Sequence, residues 1–263
     1  MPEPEGAARA ADVLPIVIGT AGWAIPRTAA DRFPGAGPHL TRYAGVLAGT
    51  EINATFHRRP RRSTFTRWVA ETGAGFRFAA KLPRTITHDR RLVDCEALLD
   101  DFLGDVGELG ARLGPLLVQL PGSLEFERAV ADTFFGSLRA RHAGTVVCEP
   151  RHAGWFTPEA GALLGAHAIN RVGADPARVE AAAEPLVARD AGPAALAYWR
   201  WHGSPQVYRS SYATEQIERW ADAVVETARG GVACWCIFDN TTSGAAAANA
   251  LDLQAAVVRR LGG

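Results

Sequence analysis

The stretch TVVCEPRHAGW, residues 145–155, passes from a run of β-branched and apolar residues into a charged turn. Short runs of this kind form buried strands, and Glu149 and Arg151 stand at the end of this one. Successive side chains of a strand point to opposite faces, so two residues that lie two positions apart share a face. The stretch therefore predicts a buried strand that brings a carboxylate and a guanidinium to the same place.

The same change from apolar to polar residues recurs along the chain. Short β-rich runs alternate with longer amphipathic segments, which is typical of a parallel sheet with crossover helices. Strands are predicted at residues 16–20, 50–54, 77–82, 116–120, 145–149, 168–173, 195–201 and 232–238. Helices are predicted at residues 38–48, 63–71, 95–112, 125–141, 158–165, 214–228 and 244–261. We expect the connection at 175–193, which is rich in Ala and Pro, to be irregular.

Eight strand and helix units in a chain of 263 residues have the size and rhythm of a TIM (β/α)8 barrel. We predict one such domain at residues 15–263, with a doubly wound open sheet as the alternative. Residues 1–14 are acidic and rich in Ala and Pro, so they are expected to form a disordered leader and not a signal peptide.

Composition narrows the class of protein. No run of about 20 apolar residues is present, so no contact with a membrane is expected and a cytoplasmic location is the default. The four cysteines match neither a disulfide framework nor the usual zinc spacing. We interpret Cys95, Cys148, Cys234 and Cys236 as small buried hydrophobic residues.

Polar residues stand at the ends of nearly all the predicted strands. In a barrel these ends converge on the face that carries the active site. The candidate catalytic residues are Glu51, Lys81, Glu149 and Asp239. The candidate substrate-binding residues are Thr20, Trp23, Asn53, His88, Gln119, Arg151, Asp175, Arg200, His202, Asn240 and Ser243. The opposing interpretation is a ring of salt bridges that only closes the barrel mouth.

Lys81 is the only lysine of the chain, since all other Lys and Arg positions hold arginine. Arginine is a permanently charged planar group, whereas the pKa of a lysine can fall. A position that holds lysine against this bias indicates a point charge, a proton donor or a nucleophile. The alternative is one surviving lysine on a solvated surface.

The net charge of zero conceals a basic region at residues 57–91, which carries a formal charge of +8. We expect its side chains to rim the same face as Lys81: Arg58, Arg59, Arg61, Arg62, Arg84, His88, Arg90 and Arg91. Such a rim favours an anionic partner, either a small molecule such as a phosphate ester or a nucleic acid.

The segment DNTTSG, residues 239–244, precedes the last predicted helix. Loops at this place in a barrel often bind phosphate through backbone N–H groups at a helix N-terminus. We expect Thr242 or Ser243 to cap the helix and Gly244 to let a ligand approach the backbone. Trp23, Trp155 and Trp201 could stack on a base or a sugar, or serve as packing anchors.

A set of ordered motifs resembles the YecE-like family, a domain of unknown function. The motifs are GTAGW, EINATF, KLPRTITH, QLPGSL, VVCEPRHAGW, GADP, YWRWHGSPQVYRSSY and FDNTTSGAAAANAL, and they extend over residues 16–253. The resemblance implies a TIM barrel and supplies no reaction. His57 stands where the family has tyrosine, and Ile25 and Pro26 stand where it has Tyr-Pro, so contacts from the first two loops are expected to differ.

Three functions remain open at this point. The first is hydrolysis of a phosphate-bearing substrate, with Lys81 and Arg200 stabilising charge and a carboxylate as base or ligand to a divalent metal. The second is glycoside hydrolysis by Glu51 and Glu149. The third is nucleotide or nucleic-acid binding without catalysis, and a Schiff-base lyase built on Lys81 is a narrower variant of the enzyme hypothesis. A metal site could join His57, His88 and His202 to Glu149 or Asp175, although no metal-binding spacing is present.

Overall fold

The protein is described by a computed structural model that covers residues 13–188 and 195–262. The predicted leader at residues 1–14 lies almost wholly outside the described residues. The same is true of the last part of the connection predicted to be irregular. The part of that connection that is described contains one short 3-10 turn, Glu180–Ala182, which agrees with the prediction.

Parallel strands form two sheets in the described part of the chain. The strands are β1 (Ile16–Thr20), β2 (Gly49–Ile52), β3 (Arg77–Lys81), β4 (Leu113–Gln119), β5 (Val146–Glu149), β6 (Ile169–Arg171), β7 (Gly173–Asp175), β8 (Leu196–Trp201) and β9 (Ala233–Phe238). One sheet has the order β1-β9-β8-β7 and the other has the order β2-β3-β4-β5-β6. The predicted α/β architecture with parallel strands is confirmed.

Helices follow most of the strands, as the sequence pattern predicts. They are α1 (His39–Ala44), α2 (Ala54–His57), α3 (Arg62–Ala70), α4 (Glu96–Val106), α5 (Arg128–Arg141), α6 (Pro158–Ala166), α7 (Thr214–Arg229) and α8 (Ala245–Leu261). The helix predicted at 95–112 ends earlier, at Val106, and the 3-10 segment Gly107–Arg112 follows it, in which Gly110 takes a φ of 52°. None of the helices in the described ranges is long and apolar enough to cross a bilayer.

The predicted sixth strand is divided in two. Val172 separates β6 from β7, and its N–H donates to the Cys148 carbonyl of β5 at 2.8 Å. On the other side, Gly173 pairs with Trp199 of β8. The chain therefore leaves one sheet and enters the other at Val172.

The apolar residues are sorted by strand alternation into two layers. The larger core lies between the strands and the helices and includes Ile52, Trp155 and Trp201. The smaller one lies on the opposite face of the sheets, and its buried members are Ala79, Leu117, Val147, Val172, Leu196, Tyr198, Trp235 and Ile237. Charged residues at the strand ends continue the smaller face, as the spacing of Glu149 and Arg151 predicts.

Two glycines bring β1 and β2 close together. A Cβ placed on Gly19 would lie 2.0 Å from the Gly49 carbonyl oxygen, and one on Gly49 would lie 2.5 Å from a Val17 methyl. Beyond this point Ala21 and Glu51 form a parallel bridge, and the Gly22 N–H donates to the Glu51 carbonyl at 2.8 Å. A side chain at either glycine would force these strands apart.

Candidate functional site

Arg200, in β8, lies at the centre of a buried set of charged side chains and has no exposed surface. Its guanidinium donates to both carboxylate oxygens of Glu51, at 2.9 and 2.7 Å. It also donates to Glu149 at 2.5 Å and to Asp239 at 3.0 Å. The Tyr198 hydroxyl gives Glu51 a further hydrogen bond at 3.0 Å. One guanidinium therefore joins carboxylates from three strand ends.

His202 lies between two of these carboxylates. Its Nε2 is 2.9 Å from Glu149, and its Nδ1 is 3.0 Å from Asp239. Each ring nitrogen therefore faces the oxygen of a carboxylate, a group that accepts hydrogen bonds when it is ionised. Arg151 adds donors to Glu149 at 3.2 and 3.0 Å, and another of its nitrogens donates to the Tyr208 hydroxyl at 3.3 Å.

We call these six charged residues the Arg200 network: Glu51, Glu149, Arg151, Arg200, His202 and Asp239. Burial alone would raise the pKa of the Glu149 carboxyl, but the neighbouring cations hold it well below its usual range. Burial is likewise outweighed at Asp239, mainly by Arg200, so the pKa of that carboxyl is lowered as well. All three carboxylates of the network contact Arg200, and Glu149 also contacts Arg151.

Lys81, at the end of β3, faces the same set of charges but has a different environment. Its side chain is only 9% exposed. It makes no side-chain hydrogen bond or ion pair with any residue in the described ranges, and its Nζ lies 4.2 Å from the centre of the Phe56 ring. Burial, followed by repulsion from Arg200, lowers the pKa of the Lys81 amine to about 8. Lys81 is therefore a buried amine without an ion-pair partner among the described residues.

The Phe56 ring connects Lys81 with His88. The His88 ring lies 5.0 Å from Phe56 in an edge arrangement, and its Nδ1 is 2.8 Å from the Thr87 hydroxyl. Burial and the charges of Lys81 and Arg84 lower the pKa of the half-buried His88. His88 is thus a neutral imidazole at neutral pH, and it contacts the same Phe56 ring as Lys81 does.

The structure places Asp175 and Gln119 beside the network, whereas Asn53 and Asn240 are notable for unpaired side-chain oxygens. Asp175 accepts a hydrogen bond from Tyr212 at 2.8 Å, and its carbonyl accepts from the His202 N–H at 2.7 Å. Gln119 pairs with Glu149 in the β4–β5 register. The side-chain oxygens of Asn53 and Asn240 are buried and have no hydrogen-bond partner in the described part of the chain. These amide oxygens are acceptors that remain free.

Thr20, Trp23 and Ser243 do not contact the network. The Thr20 hydroxyl lies 3.0 Å from the Tyr43 hydroxyl of α1. Trp23 packs edge-on against Trp68 at 4.9 Å. The hydroxyl of Ser243 donates to the Arg209 carbonyl. These three residues support the loops and the helix layer around the strand ends.

The expected capping of α8 is wrong. Its N-cap is Gly244, with a φ of 79° and no side-chain cap, so neither Thr242 nor Ser243 supplies one. A Cβ at Gly244 would lie 2.8 Å from Pro26. The glycine is therefore required by the backbone conformation and by packing against the first loop.

Several aromatic and basic residues have partners that the sequence did not reveal. Trp155 and Trp201 are buried packing residues, and Trp201 stacks on Trp220 of α7 at 4.1 Å. In the predicted basic rim, Arg59 and Arg62 form ion pairs with Asp105 of α4. Arg84 pairs with Asp89, and Arg91 donates to the Ser123 carbonyl at 2.9 Å. These pairs partly neutralise the rim.

Sequence reasoning missed three site residues, Phe56, Tyr198 and Tyr208. Tyr208 lies in the loop after β8, edge-on to His202, and takes a φ of 66° that is uncommon for tyrosine. Tyr198 precedes Arg200 by two positions, so the alternation that paired Arg200 with His202 could have found it. Phe56 gives no such signal, because its contact with Lys81 joins two separate elements.

Metal ligation has no support in the side-chain arrangement. Within residues 13–188 and 195–262, no group of three or more His, Cys, Asp or Glu side chains is placed to hold a metal ion. Oxygens of Glu51, Glu149 and Asp239 instead accept hydrogen bonds from Arg200.

Solved structures share this fold. A DUF72 family protein from Thermotoga maritima MSB8 is 23% identical, with a TM-score of 0.73 over 95% of this chain and 100% of that chain. A DUF72 family protein from Enterococcus faecalis V583 is 20% identical, with a TM-score of 0.73 over 92% of this chain and 95% of that chain.

Comparison with known sequences confirms the resemblance inferred from the motifs. The UPF0759 protein YecE of Escherichia coli K12 is 34% identical over 84 residues. The aligned stretch spans about a third of each protein, 32% of this chain and 31% of YecE. A model of the family described as "Protein of unknown function DUF72" matches residues 17–262, and the chain therefore belongs to this family.

Proposed function

We propose that the protein binds a small anionic substrate at the strand ends, with the Lys81 ammonium meeting the substrate's charge. The observation that carries the proposal is the buried Lys81 amine, which has no ion-pair partner in the described ranges, beside carboxylates that already accept hydrogen bonds from Arg200. A desolvated ammonium without an anionic partner is costly, and a bound anion would remove that cost. The free amide oxygen of Asn53, two positions after Glu51 in the chain, would accept a hydrogen bond from an uncharged part of the substrate.

The site belongs, in this proposal, to one closed TIM (β/α)8 barrel. Three observations support closure: the bridge from Ala21 to Glu51, the approach of β1 and β2 at their glycines, and the continuity of β6 and β7 through Val172. When β6 and β7 are taken as one strand, eight strands alternate with the connecting segments. The Arg200 network then occupies the mouth at the carboxyl ends of the strands, where barrel enzymes carry their active sites.

The reaction we favour is hydrolysis of a phosphate-bearing substrate. A lysine whose pKa lies near 8 exists in both protonation states close to neutral pH, so it can donate a proton to a leaving oxygen. Its charge would also stabilise negative charge that develops on the phosphoryl oxygens. Arg200, held by three carboxylates, would keep the mouth rigid.

Two alternatives receive less support. A glycosidase needs a carboxylic acid that is protonated at its working pH, whereas cations hold the pKa of Glu149 well below its usual range. Nucleic-acid binding needs unpaired basic side chains, whereas Arg59, Arg62 and Arg84 have acidic partners. A small anion also fits a lysine that is only 9% exposed.

The experiment is a thermal-shift screen of phosphate monoesters, followed by an assay for phosphate release with each ester that binds. We expect the wild type to be stabilised by at least one ester and the Lys81→Met variant to lose that stabilisation. Arg219→Gln is the matched control, because it removes the same charge from an exposed position on α7. This control should bind as well as the wild type.

The outcomes separate the hypotheses. Equal shifts for the wild type and Lys81→Met would overturn the assignment of Lys81. Binding without phosphate release would leave the anion site standing and replace hydrolysis with the noncatalytic alternative. Binding that also weakens steeply with salt and extends to oligonucleotides would favour a nucleic-acid partner.

A further inference from the structure

The amine of Lys81 is the feature of the mouth that simple anion binding does not explain. The chain contains 28 Lys and Arg residues in total, and every one except Lys81 is an arginine. A guanidinium provides a permanent charge and two-pronged hydrogen bonds to a phosphate or carboxylate, so arginine would serve a binding site well. What arginine cannot supply is a nucleophilic nitrogen.

The surroundings of Lys81 favour such a nitrogen. The amine is desolvated at the end of β3, and none of the described residues accepts a hydrogen bond from its Nζ. The face of the Phe56 ring, 4.2 Å away, favours the ammonium form, whereas burial and the charge of Arg200 favour the free amine. The second pair of effects prevails, since the pKa of Lys81 falls to about 8. Desolvation beside a cationic group is one way in which proteins activate a lysine.

We propose that Lys81 forms an imine with the carbonyl carbon of an anionic aldehyde or ketone, an inference that rests on the proposed anion site and names its substrate class. The Nζ lone pair attacks the carbonyl carbon, and the π electrons of the C=O bond move to oxygen, which is protonated to give a carbinolamine. The proton that the amine gave up before the attack then returns to the hydroxyl group, which leaves as water. The nitrogen lone pair forms the C=N bond, and the nitrogen keeps its remaining proton, so the product is a protonated imine.

Charge and proton transfer are both consistent with this chemistry. A protonated imine keeps the positive charge of Lys81, so it can still face the phosphate or carboxylate group of the same substrate. Neutral His88 contacts the Phe56 ring on which Lys81 also lies, and it can accept the proton that the amine must lose.

The test uses glycolaldehyde phosphate with sodium cyanoborohydride, which reduces an imine to a stable secondary amine. The sites of modification are mapped by peptide mass spectrometry at neutral pH. The protein is the full chain carrying Arg219→Lys, which places a second, exposed amine on α7 as an internal reference. The unprotonated fraction of the Lys81 amine at neutral pH is roughly 300 times that of an ordinary lysine, so we expect position 81 to react at least about tenfold faster than position 219.

A second arm tests the anion site without a carbonyl group. Glycerol 1-phosphate should stabilise the protein thermally and should slow the reaction at position 81 but not at position 219. Stabilisation by glycerol 1-phosphate without faster modification at position 81 would overturn the imine and leave the anion site standing. Failure of both phosphates to stabilise the wild type would overturn the anion site itself.

Discussion

The Arg200 network and Lys81 lie at the same strand ends, but the buried charge of Arg200 is paired with carboxylates and that of Lys81 is not. Arg200 has no exposed surface and contacts three carboxylates, and burial, which lowers its pKa, is outweighed by Glu149 and Glu51. Lys81 has the Phe56 ring in place of an anion, and burial together with Arg200 lowers the pKa of its amine to about 8. The charge of Arg200 is held permanently, whereas that of Lys81 is easily lost.

The difference separates structure from reactivity within one site. Breaking a buried, hydrogen-bonded ion pair leaves a charge without compensation, so substituting one member of the network should lower the free energy of unfolding. An unpaired buried ammonium lowers the free energy of unfolding, but the same group can bind an anion or take part in a reaction. Variants of the two residues should therefore change stability in opposite directions.

The largest effect is expected for Arg200→Met. This change leaves the buried Glu51 without its guanidinium and removes one of the cationic partners of Glu149, which should lower the free energy of unfolding by about 3–5 kcal/mol. Urea denaturation followed by circular dichroism measures it. Adding Glu51→Gln to the variant should recover part of the loss, because one uncompensated carboxylate is removed. A loss below about 1 kcal/mol would mean that the network does not stabilise the fold.

Lys81→Met should have a smaller effect of opposite sign. A pKa lowered from 10.5 to about 8 corresponds to a cost of roughly 3 kcal/mol for the charged form. Removing the ammonium should therefore raise the free energy of unfolding at neutral pH. The gain should be about 1–3 kcal/mol and not the full cost, because some packing on Phe56 is lost. Lys81→Arg should lower it, because a guanidinium cannot release its proton. A destabilised Lys81→Met variant would contradict the proposed cost.

The pH dependence sharpens the same comparison. The pKa of Lys81 is lower in the folded protein than the value of 10.5 expected when unfolded, so its charge destabilises the fold fully below pH 8. As the pH rises from about 8 to 10.5 this penalty disappears. The stability of wild type relative to Lys81→Met should therefore rise across that window. A constant difference would show that Glu51, Glu149 and Asp239 compensate the ammonium fully.

The smallest effect is expected in the basic region, outside both groups. Arg84 pairs with Asp89 at 3.2 Å, and both side chains are more than half exposed. Exposed pairs contribute little, so Arg84→Ala should change the unfolding free energy by less than about 1 kcal/mol. Anion binding should stay close to that of wild type. A large loss of anion binding would show that the basic rim is part of the binding site.

The local pattern of the sequence predicted much of this site. Alternation along a strand placed Glu149 with Arg151, and Arg200 with His202, on one face, and the structure brings these four residues into contact. Lys81 was identified as the sole lysine of the chain and by its place at a predicted strand end, and the structure places it among the same charges. Its role in binding or chemistry stays a prediction.

Other features depended on partners far away in the chain. Arg59 and Arg62 were expected at the mouth, but Asp105 of α4, more than 40 positions later, binds both. Similarly, Gly244 replaces the expected cap of α8 because the backbone there turns against Pro26. A charge count or a capping rule considers neighbours in sequence, and these contacts join distant segments.

The sequence by itself determined the parallel α/β architecture and the set of charges at the strand ends, because periodicity and strand alternation are local properties of the chain. Only the tertiary structure decided how those charges are shared. Arg200 contacts Glu51 across 149 positions of sequence and Glu149 across 51, while Lys81 meets Phe56. Whether a buried charge is paired depends on which strand ends meet in space, and that is a property of the packed fold.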